Sequence, residues 1–135
     1  MKRVFVDTNV ILDVLLQRYD VWQDSLKIFR LAELGKIKAY ISASSMTDIF
    51  YVANKKLSPT IARQAIETLL NLFDVVGVDG EDLRGALSVP VDDYEDALQV
   101  YCACKINADV LVTRDIEGFH NIDIIVLPPI SFSLD

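Results

Sequence analysis

Short apolar runs that alternate with helical segments are the feature that most restricts the fold of this chain. Five runs are rich in strand-forming residues: Lys2 to Val6, Ala39 to Ser42, Asp74 to Val78, Asp109 to Val112 and Ile124 to Leu127. Apolar residues at helical spacing, with start signals such as Ser58-Pro59, fill most of the intervals between them. Runs that are apolar on both faces and separated by helices predict a parallel sheet covered by helices on each side.

The length and composition are those of one globular domain. The chain has 135 residues, of which 52% are hydrophobic and 24% charged, so one core is enough. We expect a single three-layer α/β domain over residues 1–135, with a mainly parallel sheet of about four to five strands. Asp7, Asn9 and Asp13 interrupt what would be the apolar part of a secretory signal, and no segment is long enough to span a membrane. We therefore expect a cytoplasmic protein without membrane association.

Charge and cysteine content exclude several classes of function. The net charge of −7 argues against nucleic-acid binding through a broad basic surface. It does not exclude a polyanion substrate, because carboxylates that bind divalent cations reverse their local sign and then attract phosphate. Cys102 and Cys104 are two apart in a predicted helix, so their side chains diverge. Neither a disulfide nor a four-ligand zinc site is expected from them.

Four aspartates are predicted to meet at one edge of the sheet. Asp7 ends the first strand, Asp115 closely follows another, and Asp48 and Asp96 lie in the first turns of predicted helices. In parallel sheets, ligands bind beyond the carboxyl ends of the strands, so all four side chains can face one cleft. Like charges so close together raise one another's pKa unless cations neutralise them. An all-carboxylate cluster suits Mg²⁺ or Mn²⁺, and such ions favour phosphodiester hydrolysis.

Each acid also has a simpler structural explanation. Asp48 and Asp96 stand where a negative charge stabilises a helix N-terminus by roughly 0.3 to 1 kcal/mol. Asp93 is a good N-cap without any metal. Only the combination of four acids at one edge favours a metal site over these local roles.

Four segments, in order along nearly the whole chain, resemble the successive motifs of the PIN-domain family. They are Val6–Leu12 (VDTNVIL), Ser44–Asp48 (SSMTD), Asp93–Leu98 (DYEDAL) and Ala108–Asp115 (ADVLVTRD). The resemblance implies a metal-dependent ribonuclease, often the VapC-like toxin of a bacterial or archaeal toxin–antitoxin pair. It also implies an RNA substrate, a homodimer and an antitoxin partner.

The resemblance extends to individual residues. Asp7, Asp96 and Asp115 match the metal-binding acids of the family, while Asn9 and Thr113 match polar residues that support them. We expect Asp93 to support these acids as well. Asp48 takes the place of an acid that in the family is most often glutamate. Because its side chain is shorter by one methylene, the resemblance implies that it reaches a metal through a water.

The residues that would touch RNA are less clearly marked. Lys55, Lys56, Arg63 and Arg114 are the best candidates for contacts to the RNA backbone, although ordinary solvated surface charge explains them equally well. His120 has no recognisable cysteine or serine partner and is expected in a surface loop.

Other functions remain as alternatives. A two-component receiver also groups acids at strand ends, but it needs a late lysine, and none follows Lys105. A haloacid-dehalogenase-like phosphatase needs a second aspartate where this chain has Asn9. A PIN-like binding or scaffold module with a weakened metal site is the non-enzymatic alternative, and Asp48 in place of glutamate is the feature that supports it.

Overall fold

The computed structural model describes residues 1–134, which form five strands and six α-helices in one α/β domain. The strands are β1 (Arg3–Val6), β2 (Lys38–Ser42), β3 (Asp74–Val76), β4 (Val110–Val112) and β5 (Ile125–Leu127). The helices are α1 (Thr8–Leu16), α2 (Trp22–Glu33), α3 (Ala43–Lys56), α4 (Pro59–Leu72), α5 (Gly80–Ala86) and α6 (Tyr94–Lys105). Short 3₁₀ turns occupy Ile116–Gly118 and Pro129–Ser131.

All strand pairs in the sheet are parallel, and the order is β3-β2-β1-β4-β5. In the central strand, Val4 lies between Ala39 of β2 and Val110 of β4. The predicted α/β fold with a five-stranded parallel sheet is therefore confirmed. The chain moves outward from β1 in one direction through β2 and β3, and then in the other through β4 and β5, so its topological switch point lies between β1 and β4.

Two hydrophobic cores cover the two faces of the sheet. Val4 and Val6 point into the core formed with α1 to α4, whereas Phe5 points into the core formed with α5 and α6. All three side chains are fully buried. Successive residues of a strand face opposite sides of a sheet, and a strand covered on both sides must therefore be apolar throughout.

Local capping explains where several helices begin. The Ser58 hydroxyl accepts a hydrogen bond from the Ile61 amide, and Pro59 follows it at the first helical position. Helix α3 begins at Ala43, with Ser42 as its N-cap. Asp48 consequently lies in the second turn of that helix, and its expected place in the first turn was wrong.

The helices are too short to span a bilayer. The longest, α3 and α4, have 14 residues each. Within residues 1–134, no helix is long and apolar enough to cross a membrane.

The contact between α5 and α6 predicts the effect of one substitution. A Cβ atom added at Gly85 would lie 2.1 Å from Cε1 of Tyr101. Alanine normally stabilises a helix relative to glycine by roughly 1 kcal/mol, but overpacking costs about 1 to 3 kcal/mol. We expect Gly85→Ala to lower the free energy of unfolding by about 1 kcal/mol or more, measured by urea denaturation.

Gly77→Ala is the matched control, because no atom lies within 4 Å of its added Cβ. Its free energy of unfolding should stay within about 0.5 kcal/mol of the wild type. If Gly85→Ala proved as stable as the Gly77 variant, the close packing of α5 on Tyr101 would be contradicted.

Candidate active site

A cleft of about 590 Å³ opens at the carboxyl edge of the sheet. It is bordered by the segment after β1 and by the first turns of α1, α3 and α6. Four of its lining residues are acidic: Asp7, Asp48, Glu95 and Asp96. Three of the four predicted metal-binding acids thus line one cleft.

Asp7 is the best-anchored of these acids. Its Oδ1 atom accepts hydrogen bonds from the Thr8 amide at 2.8 Å and from Gln99 Nε2 at 2.9 Å. Its Oδ2 atom accepts one from the Thr113 hydroxyl at 2.8 Å. A carboxylate offers about four acceptor sites, so these three bonds fix its orientation and leave capacity on Oδ2 for a further ligand.

Asn9 and Thr113 form the support beneath Asp7. Asn9 Nδ2 donates to Thr113 Oγ1 at 3.3 Å, and Asn9 Oδ1 accepts from the Arg114 amide at 3.2 Å. The Asp115 amide donates to the same Thr113 hydroxyl at 3.4 Å. These bonds tie the start of α1 to the segment after β4, across the switch point of the sheet.

Two further supporting residues were not singled out from the sequence. Gln99, buried on α6, donates to Asp7 and also to Ser45 Oγ at 3.3 Å. Ser45 in turn shares a hydrogen bond of 2.6 Å with the Thr8 hydroxyl. The available signal was a polar side chain three residues after Asp96, within the apolar stretch of a helix.

The surroundings of Asp96 disfavour the ionised form of its carboxyl group. Burial, and after it the negative charges of Asp7, Asp93 and Asp115, together raise the pKa of its carboxyl group from 3.8 to about 6. Asp93 also caps α6, because its Oδ1 accepts from the Asp96 amide at 3.0 Å. The close approach of Gly118 covers one side of Asp96, since an added Cβ there would lie 3.2 Å from Asp96 Oδ2.

Asp115 and Asp48 lie farther from the centre of the site. Asp115 is exposed and does not line the cavity, although its charge reaches Asp96. Asp48 is exposed on α3 and lines the cleft, but it is not among the main charges that raise the pKa of Asp96. Asp7 and Asp96 therefore form the centre of the acidic cluster.

The predicted RNA-contacting cations divide into two groups. Lys55, Lys56 and Arg63 are exposed on α3 and α4 and do not line the cleft. Arg114 does not line the cleft either, but it lies between Thr113 and Asp115 in sequence and its backbone amide donates to Asn9. His120 is exposed in a loop, as expected.

Comparison with known proteins identifies the family of this chain. The sequence pattern of the PIN domain matches residues 3–117, which is most of the chain. The chain belongs to the PIN-domain family. It is also 26% identical over 131 residues to Ribonuclease VapC1 of Aquifex aeolicus (strain VF5), an alignment covering 93% of this chain and 90% of that protein.

Solved structures share the fold at lower identity. VapBC2 from Rickettsia felis, bound to a DNA fragment from its promoter, superposes with a TM-score of 0.69 at 17% identity and covers 93% of this chain and 96% of its own. VapC20 of Mycobacterium tuberculosis, a sarcin–ricin loop cleaving toxin, superposes with a TM-score of 0.68 at 16% identity. That match covers 85% of this chain and 92% of the VapC20 chain.

The acidic side chains of this PIN domain are suitable ligands for a hard divalent cation, but those described do not form a complete metal site. Among residues 1–134, no three acidic, histidine or cysteine side chains stand close enough to hold a metal ion as they are. The donor set is nevertheless all oxygen, and the mutual repulsion at Asp96 is what a cation would relieve. Gln99 Oε1, buried beside Asp7, has no hydrogen-bond partner within the described residues. These observations suit a hard divalent cation better than a softer metal.

The raised pKa of Asp96 predicts how stability depends on pH without metal. The folded protein holds this proton up to about pH 6, whereas the unfolded chain releases it near the ordinary aspartate pKa of 3.8. Stability therefore falls as pH rises between these two values and stays reduced above the higher one. We expect Asp96→Asn to melt a few degrees above the wild type in EDTA at about pH 8, with the gain lost below about pH 4.

Asp92→Asn removes the same charge from an exposed residue outside the cleft and should leave the melting temperature unchanged. Added Mn²⁺ should stabilise the wild type and Asp92→Asn, but not Asp96→Asn. Equal melting temperatures for the two variants in EDTA at every pH would contradict the strain at Asp96.

Proposed function

We propose that this chain is a metal-dependent endoribonuclease that hydrolyses RNA phosphodiester bonds and acts as the toxin of a toxin–antitoxin pair. The observation that carries the proposal is the anchored Asp7 carboxylate, which shares a cleft with the electrostatically strained Asp96. The family, the relative named Ribonuclease VapC1 and the fold shared with VapBC complexes support the same activity.

The roles of the side chains follow from their positions. Asp7 and Asp96 would hold Mg²⁺ or Mn²⁺, with Asp115 and Asp48 contributing from the rim, directly or through water. When bound, such an ion lowers the pKa of water and neutralises charge on the phosphoryl oxygens. Thr113 and Gln99 keep the Asp7 carboxylate in one orientation, so that it need not reorganise when a cation enters.

The partners in this proposal are RNA, a second copy of the chain and an antitoxin. RNA is the substrate class in the name of the relative Ribonuclease VapC1, and VapC20, which shares the fold of this chain, is a sarcin–ricin loop cleaving toxin. Exposed apolar side chains on α3 and α4 support subunit contact; they include Tyr51, Ile61 and Leu70. VapBC complexes of the same fold support an antitoxin. A cytoplasmic location, where RNA is abundant, is part of the proposal.

Substitution of the central acids tests the activity. With a mixed single-stranded RNA and Mg²⁺ or Mn²⁺, we expect Asp7→Asn and Asp96→Asn each to reduce cleavage roughly 100-fold or more. EDTA should abolish cleavage by the wild type, and Asp92→Asn should cleave normally. Cleavage that survives EDTA or both substitutions would show that these acids are not the reactive centre.

The outlying position of Asp48 predicts a smaller effect. A residue that orients a metal-bound water from the rim typically contributes about 10- to 100-fold. We expect Asp48→Asn to reduce the rate about 10-fold while keeping its metal dependence. Asp48→Glu, which restores the longer side chain, should equal or exceed the wild-type rate. A loss as large as that of Asp7→Asn would instead assign Asp48 to the centre of the site.

A binding or scaffold module is the second candidate. It is favoured by the absence of a ready three-acid metal cluster within residues 1–134 and by Asp48 in place of glutamate. Such a module would cleave no RNA and would gain no thermal stability from Mn²⁺.

A further inference from the structure

A second buried carboxylate lies close to the acidic cleft and has a different environment. Asp13 on α1 is completely buried. Its Oδ1 atom accepts a hydrogen bond from Arg18 Nε at 2.6 Å, and its Oδ2 atom accepts one from Arg114 Nε at 2.7 Å. Two arginines from segments 96 residues apart in sequence thus converge on one aspartate.

Tyr19 holds the same two guanidinium groups from another side. Their central carbon atoms lie 5.2 Å (Arg18) and 4.6 Å (Arg114) from the centroid of its ring, within the range of cation–π attraction. The loop that carries Tyr19 is strained, because Gln17, Tyr19 and Asp20 have left-handed φ angles of 48°, 61° and 52°. Such strain persists only where surrounding contacts enforce it, and it is concentrated at functional sites.

Neutralising Asp13 does not require this arrangement. One arginine can bind a carboxylate with two parallel bonds, yet here each arginine uses only its Nε. A guanidinium has five N–H donors, and within residues 1–134 neither side chain donates another hydrogen bond. Two positive charges against one buried negative charge also leave the cluster with a net positive charge.

The cluster of Asp13, Arg18, Tyr19 and Arg114 reaches the cleft through Arg18. Arg18 lines the cavity together with Asp7 and Asp96, whereas Arg114 lies behind it on the other oxygen of Asp13. Arg114 directly precedes Asp115, and its backbone amide is fixed by Asn9. In a chain with a net charge of −7, this is a cationic site built into the wall beside the acids.

We propose that Arg18 and Arg114, oriented by Asp13 and Tyr19, form a clamp for a phosphate of the RNA strand next to the one at the acids. This inference rests on the proposed ribonuclease function. RNA carries a phosphate at every nucleotide, so a strand whose scissile phosphate is at Asp7 and Asp96 brings a neighbouring phosphate to the rim of the cleft. The free guanidinium N–H groups match its oxygens as forked donors, which a lysine could not do.

Binding measured without cleavage tests the clamp. The affinity of a fluorescein-labelled single-stranded RNA is measured in EDTA by anisotropy at several salt concentrations, for the wild type, Arg18→Gln and Arg114→Gln. Each substitution leaves Asp13 with one arginine, which protects the fold. We expect each to weaken binding about 5- to 10-fold and to reduce the slope of log affinity against log salt by about 0.7, the value for one contact to a single strand.

Arg30→Gln is the control, because Arg30 is exposed on α2 and does not line the cleft. It removes the same charge and should leave the affinity and the slope unchanged. Losses of equal size in all three variants would overturn the clamp, and so would unchanged RNA affinity accompanied by a lower melting temperature in the Arg18 and Arg114 variants.

Two more outcomes separate the clamp from related proposals. If the wild type bound polyglutamate instead of RNA, and the Arg18 and Arg114 variants lost that binding, the site would receive an acidic protein segment and the RNA clamp would be wrong. If the RNA affinity behaved as expected but no RNA were cleaved with Mg²⁺ or Mn²⁺, the clamp would be supported and the proposed nuclease activity contradicted.

Discussion

The Asp7 carboxylate, almost completely buried at the end of the central strand, is the group on which the organisation of the site depends. A buried charge is costly unless polar groups replace the lost water, and here three donors do so. The donors come from the start of α1, from α6 and from the segment after β4. These hydrogen bonds therefore hold three parts of the chain, distant from one another in sequence, around the Asp7 carboxylate. None of the three donors is a cation, so the negative charge of Asp7 is oriented but not neutralised.

Asp96 shows the consequence of leaving that charge in place. Its carboxyl group is partly buried and must also ionise near Asp7, Asp93 and Asp115, and both conditions raise its pKa. A domain selected for stability alone would not concentrate acids there, since removing one would relieve the repulsion. Strain of this kind is typical of sites whose ligand restores the balance of charge. The same reasoning connects the proposed metal to folding, because a cation that binds only the folded state would offset the repulsion.

The fold and the central acids could be predicted because their signals are local. Apolar runs mark the strands, and the rule that parallel strands end at a common edge brings Asp7 and Asp96 together. Gln99, Ser45 and the pairing of Asp13 with Arg18 and Arg114 were missed because these contacts join residues that are not neighbours in sequence. The position of Asp48 was shifted because Ser42, at the end of β2, caps α3 earlier than expected. Local patterns thus identify elements, whereas long-range side-chain pairs decide what each polar residue does.

Asp7 and Asp13, at the start of α1 and within it, show how long-range partners give two aspartates different roles. Asp7 caps α1 and Asp13 lies on it, and both carboxylates are buried. Neutral donors surround Asp7 and preserve its charge for a cation, while two arginines surround Asp13 and more than cancel its charge. The cleft is therefore lined by acids together with one arginine, Arg18, whose partner Asp13 lies behind it. Under the proposed function, the acids would hold a cation at the phosphodiester bond that breaks, and the two arginines would hold the phosphate beside it. The pairing of these two environments on one helix is how the proposed clamp and metal site would let an acidic protein bind a polyanion through a narrow contact instead of a basic surface.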